Sequence, residues 1–301
     1  MVFLFLCAKI QFFYKPECSY KSHFRNNHLK TGFLHKKPSK TMAQVKAKKY
    51  LGQHFLKDMD IARRIADSLV LDGKTQVLEI GPGMGVLTQF LMENPLIDLT
   101  AVELDTESVE YLHVHYPQLK VIEADFLKMD LKSYFPDKFC IIGNFPYNIS
   151  SQIFFKMLEN KDSIPCLAGM IQKEVAERIA APAGSKTYGI LSVLMQAYYK
   201  IEYLFTVPPI VFDPPPKVDS AVIRFTRNEV SQISCDEQLF KAVVKTSFNQ
   251  RRKTLRNSLK PLVEQGHPMY ADPLFDLRPE RLDVAAFIDL TNRVEAALSS
   301  K

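Results

Sequence analysis

Short apolar stretches alternate with amphipathic segments over the middle of the chain. Apolar positions that recur every three or four residues predict helices, as around Ile153, Phe154 and Met157. Between such segments lie short apolar runs that are typical of buried strands. Five of these runs are predicted as strands, at residues 76–80, 99–102, 120–123, 139–142 and 167–172. Strands that alternate with helices in this way indicate a parallel, doubly wound sheet and therefore an α/β fold.

The pattern changes in the last third of the chain. Residues 199–207 and 220–225 are predicted as a closing antiparallel pair of strands, and the polar residues 227–236 as a linker. From residue 237 the pattern is helical to the end. We therefore expect an α/β domain over residues 42–230 and a small all-α domain over residues 231–301.

The N-terminal segment differs in charge from the rest of the chain. Residues 1–41 hold eight Lys or Arg and one acid, whereas residues 42–301 hold 31 basic and 32 acidic residues. The segment is basic and nearly acid-free, as a transit peptide would be, but it shows no sustained periodicity. We interpret it as an unstructured extension, or a gene-model artefact, upstream of Met42. The folded part is then nearly neutral, so any basic surface on it must come from local clustering.

Other features exclude several classes of protein. No apolar run approaches the ~18 residues of a membrane helix. The scattered cysteines form no Cys-x-x-Cys pair and no cluster with metal-ligand spacing. They are Cys7, Cys18, Cys140, Cys166 and Cys235. We expect reduced thiols, a cytoplasmic location, no metal and no disulfide.

A glycine-rich turn follows the first predicted strand. A dinucleotide-binding fingerprint would place its third glycine at position 86, which is Val86. The observed pattern is Glu79-x-Gly81-x-Gly83-x-Gly85, and it resembles the first motif of S-adenosylmethionine methyltransferases. The alternative is a tight turn with no ligand.

Polar residues also follow the next strands. Glu103 ends the second strand and suits a bidentate hydrogen bond to ribose hydroxyls, and Asp125 after the third suits an acceptor for an adenine amino group. Either acid could instead be only a helix cap. Because ligands of open α/β sheets bind at the carboxyl ends of the strands, we expect these residues to share one site.

The fourth strand is followed by Asn-Phe-Pro-Tyr at residues 144–147. This motif resembles the [Asn/Asp/Ser]-Pro-Pro-[Tyr/Phe] motifs of methyltransferases that act on conjugated amines. The Asn144 side-chain oxygen and the Pro146 carbonyl could accept the two N–H bonds of an adenine amine and aim its lone pair at a methyl donor. Tyr147 could stack on a flipped base. A structural turn is the alternative.

Together these motifs resemble the KsgA family, the small-subunit ribosomal RNA adenine dimethyltransferases, over residues 49–290. Residues 49–56 are similar to the family's N-terminal motif, in which His54 and Leu56 would contact the cofactor. This chain has His54 where many members have Asn, and Phe145 where most have Leu. Residues 211–220 match a further motif in which Phe212 would contact the target base. Alternatively, Phe212 is a core aromatic residue.

The resemblance implies an enzyme that uses S-adenosylmethionine, leaves S-adenosylhomocysteine and dimethylates two adjacent adenosines in the 3′-terminal hairpin loop of small-subunit rRNA. Its partner would be the assembling small ribosomal subunit, and the protein would be a monomer that binds no membrane. The catalytic residues would be Asn144, Pro146, Tyr147 and Phe212. The cofactor-binding residues would be His54, Leu56, Glu79, Gly81, Gly83, Gly85, Glu103, Leu104, Asp125, Phe126 and Asn144.

Basic residues cluster in two places. Residues 239–263 contain seven Lys or Arg and no acid, and residues 249–256 resemble the family's signature at the start of its helical domain. Such clusters suit phosphate contacts, although a solvated helix face is the alternative. The predicted RNA-binding residues are Lys46, Lys48, Lys49, Arg251, Arg252, Lys253 and Arg256.

Three other functions stay open. Macrolide-resistance methyltransferases share this fold and modify an adenine of large-subunit rRNA. Some relatives are assembly or transcription factors, but such a binding protein has no need of Glu103, Asp125 and Asn144 together. A DNA adenine methyltransferase is the third, and no groove-reading motif supports it.

Overall fold

The computed structural model describes residues 45–300. The interpretation of residues 1–41 as an extension or artefact lies outside these described residues. None of the helices in these residues combines the length and the apolar composition that a membrane span requires.

The described residues form nine strands and ten α-helices, joined by short 3-10 turns. The strands are β1 (Phe55–Leu56), β2 (Thr75–Ile80), β3 (Ile97–Glu103), β4 (Lys120–Glu123), β5 (Phe139–Asn144), β6 (Cys166–Gln172), β7 (Tyr199–Val207), β8 (Phe212–Asp213) and β9 (Ser220–Arg227). The α-helices are α1 (Met59–Ala66), α2 (Thr88–Glu93), α3 (Thr106–His115), α4 (Leu131–Tyr134), α5 (Ser150–Glu159), α6 (Lys173–Ala180), α7 (Ile190–Gln196), α8 (Glu237–Asn249), α9 (Leu255–Ser258) and α10 (Val284–Ser299). The 3-10 turns are Lys49–Leu51, Phe126–Lys128, Pro209–Val211, Pro268–Ala271, Pro273–Asp276 and Pro279–Arg281.

Seven strands form one sheet in the order β4-β3-β2-β5-β6-β9-β7. All neighbours are parallel except β9, which is antiparallel to both β6 and β7. The predicted α/β fold and the predicted antiparallel pair are therefore confirmed. The strand order reverses between β2 and β5, and ligands of open α/β sheets bind at such a switch point.

The central strand β5 is buried from both sides because helices cover both faces of the sheet. Phe139 and Ile141 pack into one apolar core, and Cys140 and Ile142 pack into a second core on the opposite face. This alternation follows from the two-residue period of a strand. It also explains why residues 139–142 of β5 are all apolar, since a strand that is buried on both faces has no solvent side.

The C-terminal helices belong to the first of these cores. Phe240 and Phe248 of α8 and Phe287 of α10 are buried together with sheet residues such as Phe225. The Phe248 ring lies 5.7 Å from that of Phe287 and 6.2 Å from that of Tyr188. The predicted domain boundary at residue 230 stays a prediction, but the residues on its two sides share one hydrophobic core.

The structure contains a second, two-stranded sheet that the sequence pattern does not predict. Strands β1 and β8 pair antiparallel, with Phe55 opposite Asp213 and Leu56 opposite Phe212. The Lys57 amide extends the pairing by donating to the Val211 carbonyl at 2.8 Å. This pairing fastens residues 45–57, which we call the N-terminal strap, to the proline-rich loop after β7.

Helix α5 begins without a side-chain N-cap, although Ser150 and Ser151 stand in its first turn. Ile149 occupies the cap position of α5, and no side chain bonds the first turn. The Ser150 hydroxyl instead donates to the Tyr147 carbonyl at 3.3 Å, because the turn that follows the strand brings this carbonyl within its reach.

Candidate active site

A cavity of about 290 Å³ lies at the carboxyl ends of β2, β3 and β5, at the switch point of the sheet. It brings together most of the residues that the sequence singles out. Those that line it are His54, Leu56, Glu79, Gly81, Gly83, Glu103, Leu104, Asp125, Phe126, Asn144, Pro146 and Tyr147. Gly85 and Phe212 are not among its lining residues.

The glycine turn forms one side of the cavity. Gly81 has a φ of 66°, and a Cβ there would meet open space, so its backbone lies open to a ligand. Gly83 has a φ of 56°, and a Cβ there would lie 2.9 Å from Cε1 of Phe55. A Cβ at Gly85 would overlap the ring of Tyr116. Gly85 is therefore required for packing beneath the turn, and its cofactor contact stays a prediction.

Glu103 joins the glycine turn to the end of β3. One carboxylate oxygen accepts from the Gly83 amide at 3.1 Å, and the other accepts from the amides of Leu104 and Asp105 at 2.8 and 2.9 Å. Burial raises the pKa of Glu103, and these three hydrogen bonds oppose that rise. Because a carboxylate has about four acceptor sites, room remains for the hydroxyl groups of a ligand.

Glu79 is a neighbouring acid of a different kind. It is 1% exposed, and its Oε2 accepts from the Thr88 hydroxyl at 2.7 Å. Burial raises the pKa of Glu79 to about 8, and the nearby Glu103 adds to the rise. At neutral pH Glu79 is therefore mostly protonated, so this wall of the cavity carries less negative charge than the sequence indicates.

Asp125 and Phe126 form the third wall. The Asp125 carboxylate caps the Phe126–Lys128 turn by accepting from the Leu127 amide at 3.0 Å. From α5, Lys156 donates to the carbonyls of Leu127 and Met129 at 2.9 and 2.5 Å. Burial lowers the pKa of Lys156. Lys156 is not among the residues predicted from the sequence, and the signal for it was a lysine close to the apolar face of a predicted helix.

Asn144 is the last residue of β5, and its amide group is held in one orientation. Its Nδ2 donates to the His54 carbonyl at 3.0 Å. Among residues 45–300, no donor contacts its Oδ1, so this oxygen is the acceptor available in the cavity. The Pro146 carbonyl accepts from the Ile149 amide at 3.2 Å and keeps one lone pair for a further donor.

Phe145, the residue that departs from the family's Leu, borders the cavity, but its ring packs within the sheet. It is 1% exposed and lies against Gly143 and Gly169 on adjacent strands, where an added Cβ would collide with its ring. The larger side chain is thus accommodated by two glycines of the sheet.

Tyr147 and His54 close the cavity on the side of the strap. Their rings are stacked with centroids 5.5 Å apart. Tyr147 hydrogen-bonds to the Ser220 hydroxyl at 2.5 Å, and burial raises its pKa. The Nδ1 of His54 lies 2.7 Å from the Pro214 carbonyl, so this nitrogen must carry the proton. A flat aromatic surface therefore stands beside the free oxygen of Asn144.

Lys48 anchors the strap rather than standing free. Its ammonium group pairs with Asp105 and, at 3.2 Å, with Glu107. Its backbone amide donates to the Gln53 side chain at 2.8 Å. Burial alone would raise the pKa of Asp105, but hydrogen bonds from Lys48, Gln53 and Ser108 outweigh it and lower the pKa. The RNA contact of Lys48 stays a prediction, and it would compete with this ion pair.

The other predicted RNA-binding residues fall into two groups. Arg256 is engaged within the fold by Asp276 at 2.7 Å and by the Tyr270 carbonyl, and Arg251 donates to the Ser185 carbonyl at 3.3 Å. The remaining cations have exposed side chains, which suits phosphate contacts. They are Lys46, Lys49, Arg252 and Lys253.

Phe212 lies outside the cavity. It is 1% exposed and packs in the second core with Leu56 and Val222. The structure thus shows the core aromatic that was the alternative interpretation. A contact with the target base stays a prediction, and it would require the Phe212 ring to leave the core. Across residues 45–300, no group of His, Cys, Asp and Glu is arranged to hold a metal ion.

Comparison with known proteins decides the family. Residues 44–273 match the family described as ribosomal RNA adenine dimethylase. The chain belongs to this family. It is 66% identical over 252 residues to ribosomal RNA small subunit methyltransferase A of Parabacteroides distasonis, which covers 83% of this chain and 94% of the relative. A protein of the same name from Bacteroides thetaiotaomicron is 63% identical, over 86% of this chain and 98% of the relative.

Two solved structures are similar to this family member. A dimethyladenosine transferase from Plasmodium falciparum has a TM-score of 0.67 and 25% identity, over 82% of this chain and 98% of that one. The 23S rRNA methyltransferase ErmE has a TM-score of 0.59 and 26% identity, over 80% and 99%. The predicted family, methyltransferase fold and enzyme class, a ribosomal RNA adenine dimethyltransferase, are confirmed. The roles of individual site residues stay predictions.

Proposed function

We propose that this chain transfers methyl groups from S-adenosylmethionine to the N6 amines of two adjacent adenosines in the 3′-terminal hairpin loop of small-subunit rRNA. The enzyme would act in the cytoplasm, as a monomer, on the assembling small ribosomal subunit. The observation that carries the proposal is the fixed amide of Asn144. Its Nδ2 donates to the His54 carbonyl, so its Oδ1 is the acceptor left for a ligand in the cavity that Tyr147 also lines.

The residues of the cavity suit S-adenosylmethionine. The open backbone at Gly81 leaves room for the cofactor's close approach, Glu103 has acceptor sites left for ribose hydroxyls, and Asp125 would accept from the adenine amino group. When bound, the cofactor supplies a methyl group on a positively charged sulfur. Because Glu79 is mostly protonated and bonded to Thr88, Glu103 is left as the acceptor for the ribose hydroxyls.

The chain's own residues would orient the substrate amine. Asn144 Oδ1 and the Pro146 carbonyl would accept its two N–H bonds, which favours a pyramidal nitrogen with its lone pair directed at the methyl group. Tyr147 would stack on the adenine ring. As the new N–C bond forms, the amine gives up one proton to solvent. Catalysis would rest on positioning and fixed dipoles rather than on a general base.

Small-subunit RNA is the favoured substrate because the relatives at 63–66% identity carry that name, whereas the 23S rRNA methyltransferase is 26% identical. A large-subunit target remains the second candidate on the strength of the similar fold of that enzyme. A non-catalytic assembly role is the third. It is less favoured because the polar groups of Glu103, Asp125 and Asn144 all line one cavity.

The test is transfer of radiolabelled methyl from S-adenosylmethionine to small ribosomal subunits that lack the modification, with large subunits and DNA in parallel. We expect dimethyladenosine in small-subunit RNA alone. Asn144→Ala should lower transfer by about 100-fold or more while cofactor affinity changes little. Asn292→Ala, an exposed site that bonds the Ser234 carbonyl, is the matched control.

Label in large subunits would favour the second candidate. Cofactor binding without label in any substrate would favour an assembly role. Full activity of Asn144→Ala would exclude the catalytic assignment.

A further inference from the structure

Tyr50 has two properties that the proposed function leaves unexplained. It lines the cavity, yet 77% of its surface is exposed, so it stands at the opening rather than inside. Among residues 45–300, no group hydrogen-bonds to its hydroxyl and no ring stacks on its own. Single exposed aromatic residues are common on surfaces, so exposure alone means little. The surroundings of Tyr50 distinguish it.

The turn that carries Tyr50 is fixed on both sides. The amides of Leu51 and Gly52 donate to the carbonyls of Lys48 and Lys49, each at 3.0 Å. The Lys48 side chain is itself anchored at the cavity rim by Asp105 and Glu107. An aromatic ring on such a turn loses little conformational freedom when a partner stacks on it.

Free positive charge flanks this ring. Lys46 and Lys49 are exposed, and among the described residues no acid pairs with either. A stacking aromatic next to lysines that can reach phosphates is the arrangement by which proteins hold unpaired nucleotides. The same combination does not suit an apolar protein surface, because the charges would have to be desolvated.

We propose that Tyr50 forms a second nucleotide subsite, in which its ring stacks on an unpaired base next to the adenine being methylated while Lys46 and Lys49 contact the adjoining phosphates. This inference rests on the proposed function for its RNA substrate. Tyr147, inside the cavity beside Asn144, would hold the reacting adenine, and Tyr50, at the opening, would hold its neighbour. The subsite positions the loop and takes no part in the chemistry.

The test compares Tyr50→Ala with Tyr50→Phe, which keeps the ring, and with Tyr134→Ala, an exposed tyrosine on α4 that does not line the cavity. Substrates are unmethylated small subunits and a protein-free oligonucleotide of the hairpin. Tyr50→Ala should raise the KM for both RNAs about tenfold, the scale of one lost base stack. Tyr50→Phe and Tyr134→Ala should not. Cofactor affinity and Tm should be unchanged throughout.

Salt dependence separates the ring from the charges. Lys49→Ala should reduce the slope of log affinity against log salt by about 0.7, as expected for one lost phosphate contact with a single strand. Tyr50→Ala should leave that slope as it is. An equal loss of slope in both variants would mean that Tyr50 only supports Lys49 and would overturn the stacking subsite.

Two further outcomes are decisive. A wild-type KM for Tyr50→Ala on both RNAs would refute the proposal. If Tyr50→Ala methylated subunits more weakly but bound the oligonucleotide as tightly as the wild type, Tyr50 would contact a ribosomal protein instead. That result would also overturn the proposal. If the wild-type chain methylates no RNA, the proposed function fails separately, and fluorescence anisotropy with the oligonucleotide still tests the subsite.

Discussion

At the scale of single residues, the site depends on acids and amides whose state is set by their surroundings. Glu79 and Glu103 are both buried strand-end acids, but only Glu103 receives backbone hydrogen bonds on both carboxylate oxygens. Glu79 has one hydroxyl partner, Thr88, and a pKa of about 8. The same residue type thus supplies a mostly neutral side chain at one position and an acceptor fixed by backbone amides at the other.

The raised pKa of Glu79 predicts a pH-dependent stability. The unfolded chain releases this proton near the ordinary value of 4.5, whereas the folded chain holds it until about pH 8. The contribution of Glu79 is therefore complete below pH 4.5 and declines as the pH rises to 8, by about 1.4 kcal/mol per pH unit at most. Glu79→Gln should remove this decline, as measured by urea unfolding from pH 5 to pH 9.

The matched control for that experiment is Glu93→Gln, because Glu93 is an exposed acid paired with Arg63 at 3.1 Å. Its unfolding free energy should run parallel to that of the wild type. If the Glu79→Gln curve also ran parallel, Glu79 would be ionised in the folded protein, and its assignment as mostly neutral would be wrong.

At the scale of elements, the N-terminal strap contacts the edge of the sheet that lines the cavity. It is fastened at one end by the pairing of Lys48 with Asp105 and at the other by the β1–β8 pair. Between these anchors, the His54 carbonyl orients the Asn144 amide. If Glu103 and Asn144 have the proposed roles, we expect cofactor binding and substrate orientation to be coupled through this short extended segment.

Asp105→Asn tests this coupling, because asparagine can still cap α3 but cannot form the ion pair. We expect cofactor affinity to fall by about two- to fivefold, the scale of one partly exposed ion pair. Amide hydrogen exchange in the strap should become faster. Asp272→Asn, which disturbs the Arg293 pair in the C-terminal helices, serves as control. Unchanged exchange in the strap would show that the β1–β8 pair holds it alone.

The strap also shows what the sequence could and could not predict. Strand-end residues such as Glu103 and Asn144 were predictable, because local periodicity locates the strands and parallel topology gathers their ends. The burial of Phe212 and the pairing of Lys48 with Asp105 were not, because each depends on segments that are distant in sequence. Periodicity carries no information about such contacts, so the motifs alone indicated neither the burial of Phe212 nor the ion pair of Lys48.

At the scale of the whole molecule, the shared core argues that the described chain unfolds as one unit. Phe240, Phe248 and Phe287 of the C-terminal helices are each less than a tenth exposed and pack in the same core as Phe225 of the sheet. Losing one buried aromatic side chain costs about 3–5 kcal/mol, whereas a whole domain is stable by about 5–15 kcal/mol. Without the helices, residues 42–230 would therefore lose more free energy of unfolding than a domain of this kind has available.

Thermal unfolding of residues 42–301 should accordingly show a single transition, and residues 42–230 alone should show no cooperative transition. Since a fragment can fail for other reasons, Phe287→Ala in the longer chain gives a milder test. It should lower the free energy of unfolding by about 3–5 kcal/mol. It should also shift the unfolding transitions of the sheet and of the helices by the same amount, because the Phe287 ring contacts Phe248 in the common core. A first transition confined to the C-terminal helices would instead establish them as a separate domain. Their basic residues would then move independently of the sheet edge that lines the cavity.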